Sequence, residues 1–324
     1  MRQLLGVPAS FFGIVLGLVG LGASWRIAAR VWGLPSQIGE AIMLIAFIAW
    51  AALLLLYCAK WLWRRAEALV EFEHPIQCCF IGLIPVSTML IALAVLPYGR
   101  PFAAAIGGIG AAGQLAFAVY RTGTLWTGGR DPATTTPILY LPTVAGNFVT
   151  ANLASALGYG DVAGMFFGAA IFAWLALESV LMHRLYTSPA LPLPLRPTLG
   201  IQLAPAVVAC SAYLSITTGP PDLFAKGLLG YGLIQALIII RLLPWIMEQP
   251  FSASYWAFTF GLTALSFDAI KLVERGSEGV MPALAIVLFV IVNVAVGLIA
   301  FGTVWLLVSG RIIPQLPLVT PVKT

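Results

Sequence analysis

Charged residues are scarce in this sequence. They make up 9% of the 324 residues, whereas apolar residues make up 60% and the mean hydropathy is +0.99. An ordinary soluble protein carries roughly 25% charged residues, so this chain has too few to cover a surface that faces water. The composition indicates an integral membrane protein and excludes soluble enzymes. The net charge of +5 comes from scattered basic residues, so we expect no nucleic-acid partner.

Metal-ligating and nucleophilic residues are also few. The two histidines, His74 and His183, lie far apart, and the four cysteines contain no Cys-x-x-Cys pair. This excludes the usual zinc sites and disulfide frameworks. The sequence also lacks the glycine-rich lysine motif that binds nucleotide phosphates, which excludes direct use of ATP by this chain. We therefore expect no metal, no cofactor and no enzymatic activity.

Long apolar runs fill the chain. A membrane-spanning helix needs about 20 such residues, and ten runs approach or exceed that length. We expect an all-α membrane protein with one domain, residues 1–324, whose core covers 6–311. The predicted spans are 9–31, 38–59, 76–96, 102–120, 138–158, 163–184, 198–218, 224–243, 253–273 and 282–308.

The odd-numbered runs differ from the even-numbered ones in composition. They carry prolines, glycines and hydroxyl or amide side chains, whereas the even runs are closer to plain aliphatic helices. This alternation predicts five tandem helical hairpins, with five kinked helices in an inner ring around a pore and five in an outer ring. The candidate pore-lining residues on the inner helices are Gly13, Gly17, Pro85, Ser87, Pro142, Thr143, Asn147, Pro205, Gly261 and Thr263.

Helix packing is an alternative explanation for the small residues. Gly13 and Gly17 are four residues apart, as are Gly164 and Gly168, and this spacing is typical of close contacts between membrane helices. A single glycine does not distinguish the two explanations. The recurrence of small residues on alternate spans favours a lined pathway.

Ionisable residues are nearly absent from the middle of the spans. Glu178 lies in the second half of the sixth run, and Asp268 and Lys271 have the spacing of a helical ion pair near the end of the ninth. We interpret all three as structural. A pathway without a fixed charge fits a passive channel, because conduction requires weak binding. It fits a coupled pump poorly, because such transporters usually carry ionisable residues in their spans.

Several segments resemble one membrane protein family. It includes the bacterial TehA tellurite-resistance proteins and the slow anion channel of plant guard cells, and the likeness runs from about Gly6 to Arg311. The segments that carry it are Ser10–Gly17, His74–Leu90, Leu139–Phe148, Leu199–Leu214, Gly230–Pro244 and Tyr255–Leu265.

The resemblance implies a function and an assembly. It implies a homotrimer in the bacterial inner membrane, with a separate pore in each protomer for small inorganic anions such as chloride or nitrate. It also implies that a phenylalanine in the ninth span closes the pore, and the motif places that residue at Phe260, with room for its ring beside Gly261. The alternative function is secondary export of tellurite, sulfite or a dicarboxylate.

The basic residues predict the orientation in the membrane. Cytoplasmic loops carry an excess of lysine and arginine, and an even number of spans places both termini on one side. That side receives Arg2, Lys60, Arg64, Arg65, Arg121, Arg130, Arg184, Arg196, Arg241, Arg311 and Lys323. The other side receives Arg26, Arg30, Arg100, Lys226, Lys271 and Arg275. We therefore expect both termini in the cytoplasm.

A reporter fused after Thr324 checks this topology. We expect a cytoplasmic reporter to be active there, because the chain crosses the bilayer an even number of times. Activity of a periplasmic reporter alone at the same position would contradict the ten-span prediction.

Overall fold

A computed structural model describes residues 6–313 of the chain, and within this range all regular structure is helical. The two ends, with Arg2 and Lys323, lie outside the described residues, as do the termini whose side of the membrane was predicted. In the described part, nine helical segments are long and apolar enough to cross a membrane. They are Ala9–Trp32, Ser36–Trp63, Gln77–Val95, Arg100–Trp126, Gly160–Thr187, Leu193–Ile216, Leu223–Ile246, Ala253–Glu274 and Met281–Val308.

The α-helices of this part of the chain number eleven. Their bounds are α1 Gly13–Trp32, α2 Ser36–Trp63, α3 Arg65–Glu73, α4 Leu83–Val95, α5 Arg100–Trp126, α6 Gly146–Ala156, α7 Gly160–Thr187, α8 Ala204–Ile216, α9 Leu223–Ile246, α10 Thr259–Glu274 and α11 Met281–Val308.

Five of these helices are preceded by 3₁₀-helical or π-helical turns. 3₁₀ segments at Ala9–Phe12, Gln77–Gly82, Leu193–Leu203 and Ala253–Phe258 run directly into α1, α4, α8 and α10. Before α6 the chain forms a 3₁₀ turn, Pro137–Leu139, and a π-helical turn, Leu141–Ala145. We call these five composite stretches the inner segments.

The break before α6 explains why nine membrane helices are present where ten runs were predicted. Pro137 and Pro142 lack the backbone N–H that a regular helix needs, so the predicted span 138–158 contains a continuous α-helix only over Gly146–Ala156. The count of ten crossings therefore stays a prediction.

Burial separates the inner segments from the other long helices. In the four inner segments that qualify as membrane spans, 61%, 72%, 78% and 67% of the most apolar window is buried. In α2, α5, α7, α9 and α11 the corresponding values are 22%, 28%, 17%, 39% and 22%. The side chains exposed on these five outer helices are large and apolar, including Leu55, Ile109, Phe172 and Phe301. This is the surface that lipid covers, because hydrocarbon accepts apolar side chains without cost.

The inner segments contact one another in chain order. Helix α1 lies against α4, α4 against α6, α6 against α8, α8 against α10, and α10 against α1 again. Each outer helix lies against its hairpin partner, as the pairs α1 with α2 and α4 with α5 illustrate.

Polar side chains connect the outer helices to the inner segments. Trp50 Nε1 on α2 donates to Thr88 Oγ1 on α4 over 3.1 Å. Gln114 Nε2 on α5 donates to the carbonyl oxygen of Pro142 over 2.6 Å. In the last hairpin, the indole N–H of Trp256, which lies just before α10, donates to Thr303 Oγ1 of α11. These bonds satisfy polar groups that water cannot reach within a bilayer.

Residues 60–75, which separate the second and third predicted spans, contain the short helix α3. A buried ion pair joins it to α2, with Lys60 Nζ 2.6 Å from Glu71 Oε2. Glu71 Oε1 also accepts the backbone N–H of Ala9 over 2.7 Å, and Lys60 Nζ donates to the carbonyl oxygen of Val7. The pair therefore ties α2, α3 and the first inner segment together.

Replacement of Lys60 by Met is expected to destabilise the protein by about 3–5 kcal/mol, because it leaves the Glu71 carboxylate buried without its counterion. Thermal unfolding of the purified protein in detergent measures this. The double variant Lys60→Met/Glu71→Leu removes both charges and is expected to recover part of the loss. Equal stability of Lys60→Met and the original protein would contradict the structural role of the pair.

Candidate functional site

One cavity of about 1150 Å³ lies between the five inner segments, at the end where their 3₁₀ and π-helical turns are found. Each segment contributes residues to its wall. Examples, in chain order, are Ser10, Phe80, Tyr140, Thr198 and Trp256. The wall is mainly apolar, with hydroxyl groups at intervals.

Phe260 lines this cavity from the first turn of α10. Its side chain is half-buried, and its ring pairs with no other aromatic ring of the described residues. The backbone beneath it is well fixed, because Thr259 Oγ1 donates to the carbonyl of Trp256 and Thr263 Oγ1 donates to the carbonyl of Phe260. A phenyl ring carried by a fixed turn at the cavity wall can narrow a passage without a helix moving.

Two further predicted residues share the cavity wall with Phe260. Gly13 begins α1 and Pro205 lies at the start of α8, and both line the cavity. The structure therefore brings together residues that are far apart in sequence, from the first, seventh and ninth predicted spans.

Gly17 and Gly261 mark close approaches between inner segments. A Cβ atom on Gly17 would lie 2.2 Å from Thr259 Oγ1, and one on Gly261 would lie 2.9 Å from Leu203 Cγ. Neither glycine is among the residues that line the cavity. The small size of both residues lets α10 lie close to α1 and α8.

The other predicted wall residues also lie outside this cavity. Pro85 lies near the glycines of α5, and the carbonyl of Pro142 is bonded to Gln114. Ser87 is fully buried and donates to the carbonyl of Ile84 within its own helix. Thr263 is likewise fully buried, whereas Thr143 and Asn147 are half-buried in the inner segment that contains α6, where Asn147 Oδ1 has no hydrogen-bond partner.

Ionic residues at the rim of the cavity were missed as site residues in the sequence. Lys60, Glu71, Arg64 and Glu67 all line its outer part. Arg64 Nη2 lies 2.5 Å from Glu67 Oε1, one helical turn away, and Lys60 pairs with Glu71. The three-residue spacing of Arg64 and Glu67 in the sequence could have indicated their ion pair.

These pairs limit the electrostatic effect of the rim. Unpaired basic side chains at the mouth of a pore raise the local anion concentration. Both basic residues at this rim have a carboxylate within 2.6 Å, so their charges are largely compensated. The field that an anion meets at this rim therefore comes chiefly from neutral donors.

Glu178 is held by four hydrogen-bond donors. Its Oε2 accepts from Tyr140 OH at 2.5 Å and from Trp174 Nε1 at 2.8 Å. Its Oε1 accepts from Tyr231 OH at 2.7 Å and from Gln202 Nε2 at 3.0 Å. The carboxylate joins α7, α9 and two inner segments, and it does not line the cavity.

The predicted pair of Asp268 with Lys271 does not form. Lys271 Nζ lies 2.5 Å from Glu274 Oε2, one turn further along α10. Asp268 is fully buried, and its Oδ1 accepts from Ser211 Oγ on α8 at 2.5 Å. Asp268 and Lys271 have the spacing that an ion pair requires, but each side chain bonds a different residue.

The architecture defines a class of protein. Helices with lipid-compatible outer faces enclose an internal cavity, and no group of three or more His, Cys, Asp or Glu side chains within residues 6–313 is placed to hold a metal ion. A cavity inside a bundle of membrane helices is the arrangement of a channel or transporter.

Sequence comparison identifies the family. The family model described as SLAC1, voltage-dependent anion channel, matches residues 6–304. The chain is 36% identical over 306 residues to the tellurite resistance protein TehA homolog of Haemophilus influenzae, which covers 94% of this chain and 92% of that protein. The chain belongs to the SLAC1/TehA family of membrane channels and transporters.

More distant relatives include plant and archaeal proteins. The guard cell S-type anion channel SLAC1 of Arabidopsis thaliana is 26% identical over 283 residues, or 84% of this chain. Only 50% of the plant protein is covered, so this chain spans about half its length. An uncharacterized transporter of Methanocaldococcus jannaschii is 21% identical over 279 residues, covering 79% of this chain and 80% of that protein.

Proposed function

We propose that this protein is a passive channel for small monovalent anions such as chloride and nitrate, with a pore in each protomer that the ring of Phe260 closes. The observation that carries the proposal is the position of Phe260 on the wall of the cavity between the inner segments. A phenyl ring in a narrow apolar passage excludes ions by its size and by removing water from the passage.

The contacts between inner segments support a ring around one axis. They run from α1 through α4, α6, α8 and α10 and return to α1, so every inner segment has two inner neighbours. A closed circuit of this kind leaves an axial space, and the cavity occupies it at one end. We propose that the five inner segments form a ring around the pore, that the outer helices surround this ring, and that together they make a single channel domain.

The two ends of the described chain support an even number of crossings. Gly6 and Ile313 both line the same cavity, at the same end of the bundle. Nine crossings would separate them by the thickness of the membrane. We propose that the broken stretch 137–156 makes the tenth crossing and that this end faces the cytoplasm of a bacterial inner membrane.

Neutral donors account for the proposed selectivity. Hydroxyl groups such as those of Ser10, Thr198 and Ser254 line the cavity, and Lys60 and Arg64 at its rim are paired. Without a strong fixed site, the cost of removing water decides which ion passes. Nitrate, which holds its water weakly, should therefore pass at least as well as chloride.

Replacement of Phe260 by Ala is expected to raise the anion conductance at least about tenfold, the change that follows when about 1.4 kcal/mol is removed from a barrier. The substitution removes the ring but leaves the start of α10 intact. Current recording in oocytes or planar bilayers, with chloride exchanged for nitrate and sodium for a large cation, measures both conductance and selectivity.

Phe167→Ala is the matched control for this measurement. Phe167 lies on α7 between the rings of Phe148 and Tyr213 and does not line the cavity. Its removal should leave the conductance unchanged. Equal currents from Phe260→Ala and the original protein at matched expression would show that Phe260 does not close the pore.

Secondary export is the competing function, and Glu178 is the residue on which proton coupling would depend. Its four hydrogen-bond donors fix the carboxyl group within the helix bundle, and it does not line the cavity. We therefore expect Glu178→Gln, in the Phe260→Ala background, to lower stability while the anion current remains independent of a proton gradient. Saturable flux that follows the proton gradient and is lost in Glu178→Gln would favour the exporter.

We also propose a homotrimer. Added Cβ atoms at Gly164 and Gly168 of α7 would meet no atom within 4 Å, so these glycines lie on an outward face of the protomer. Small residues on such a face allow neighbouring helices to approach closely. Mass measurement in detergent is expected to give three chains per particle, and a species of only one or two chains would contradict the proposal.

A further inference from the structure

Two arginines meet at one backbone carbonyl beside the third predicted span. Arg121 lies near the end of α5, and Arg130 lies in the loop that follows it. Arg121 Nη2 donates to the carbonyl oxygen of Pro75 over 3.0 Å, and Arg130 Nη2 donates to the same oxygen over 3.4 Å. Arg130 is fixed further by Thr134, whose Oγ1 accepts from Nε over 2.7 Å.

Neither guanidinium forms an ion pair with a carboxylate of the described residues. Arg121 is only 9% exposed, and its Nε is buried without a hydrogen-bond partner. Arg130 Nη1 is also buried without a partner. The nearest acidic residue in sequence, Asp131, uses its side chain to accept the backbone N–H of Ala133.

This arrangement is electrostatically incomplete. Burial lowers the pKa of Arg130 from its usual value, and the like charge of Arg121 acts in the same direction, whereas thiolate charge at Cys79 and Cys78 acts against it. The buried Arg121 and the half-buried Arg130 have only neutral oxygen acceptors, on Pro75 and Thr134. Cations in such surroundings are costly unless an anion accompanies them. An oxyanion that reaches the two side chains would supply partners for Arg121 Nε and Arg130 Nη1.

We propose that Arg121 and Arg130 form a binding site for a phosphate-type oxyanion, separate from the pore. A guanidinium presents a planar fork of donors that matches two oxygens of one phosphate, and the several oxygens of such an anion can accept from both arginines. Neither arginine lines the cavity, so the site is distinct from the conduction pathway proposed above.

The position of the site admits two sources for the phosphate. Tyr120 and Trp126 on the same end of α5 are 55% and 86% exposed, as expected for aromatic side chains at the level of lipid headgroups. The ligand is therefore either the headgroup of an anionic phospholipid or phosphate from solution. Both present the same oxygens to the arginines.

Occupation of the site would act on the cavity wall. Pro75, whose carbonyl accepts from both arginines, lies two residues before the 3₁₀ segment Gln77–Gly82. Gln77 and Phe80 of that segment line the cavity. An anion that fixes both guanidinium groups also fixes the start of this segment.

Thermal unfolding of the purified full-length chain tests the site with inorganic phosphate. The titration is made in a phosphate-free detergent buffer, with chloride at equal ionic strength as the reference. We expect a saturable rise in Tm, since a ligand that binds only the folded state stabilises it. Arg130→Gln and Arg121→Gln should each raise the half-saturating concentration at least about tenfold.

Arg241→Gln is the control, because Arg241 is an exposed arginine on α9; its response should match that of the original protein. Because the burial of Arg121 can make its variant fail to fold, Arg130→Gln in the loop decides the outcome. Arg130→Lys keeps the charge without the fork and is expected to bind more weakly than the original protein.

Native mass spectrometry with phosphatidylglycerol distinguishes the sources. Stabilisation by inorganic phosphate that depends on Arg130 supports a site for a soluble ion. Retention of phosphatidylglycerol that depends on Arg130, with no response to inorganic phosphate, supports a lipid headgroup site. If neither ligand binds, or if binding is the same in Arg130→Gln as in the original protein, the proposal is wrong.

Discussion

The bonding of backbone polar groups within the membrane governs this structure. Hydrocarbon offers no hydrogen bonds, so irregular backbone is tolerated there only where protein covers it. Each inner segment begins with 3₁₀ or π-helical turns before its regular α-helix, and the outer helices surround these segments. Gln114 shows the coupling directly: it crosses from α5 to bond the carbonyl of Pro142. A Cβ atom on Gly146 would lie 1.8 Å from its Nε2, so a glycine is required there.

Two sites of buried charge follow the same rule. Glu178 is bonded by four donors, and Lys60 and Glu71 neutralise each other at the rim of the cavity. In the proposed channel, a passing ion meets an apolar wall with hydroxyl groups at intervals. Such a wall is expected to bind anions weakly, as the proposed conduction requires. The family model that matches this chain is described as a voltage-dependent anion channel.

The hydrophobic pattern predicted much of the fold. The run 282–308 corresponds to α11, Met281–Val308, and 38–59 lies within α2. Helix α3 was missed because its charged residues are typical of a connector. The break before α6 was indicated by Pro137 and Pro142, but a sequence does not state how far a proline disturbs its helix.

The candidate site was less predictable than the fold. Hydroxyl residues on the inner segments suggested a pore wall, yet those of Ser87 and Thr263 bond carbonyl groups three residues back in their own helices. This local bonding is common for serine and threonine in helices. The rotation of each segment about its axis decides which residues face the cavity, and tertiary contacts fix that rotation. Phe260 was assigned by resemblance to a family motif and not by periodicity.

The central claim is that Phe260 separates the cavity from the rest of a continuous pathway. Ala257 lines the cavity, and Ala264 lies one helical turn beyond Phe260 on the same face of α10. In a chain with its native cysteines replaced, each position is changed to cysteine and exposed to a membrane-impermeant thiol reagent from the cytoplasmic side. We predict that Ala257→Cys is labelled in both backgrounds and that Ala264→Cys is labelled only together with Phe260→Ala. Labelling of Ala264→Cys while Phe260 is present, or its protection after the ring is removed, would contradict the account.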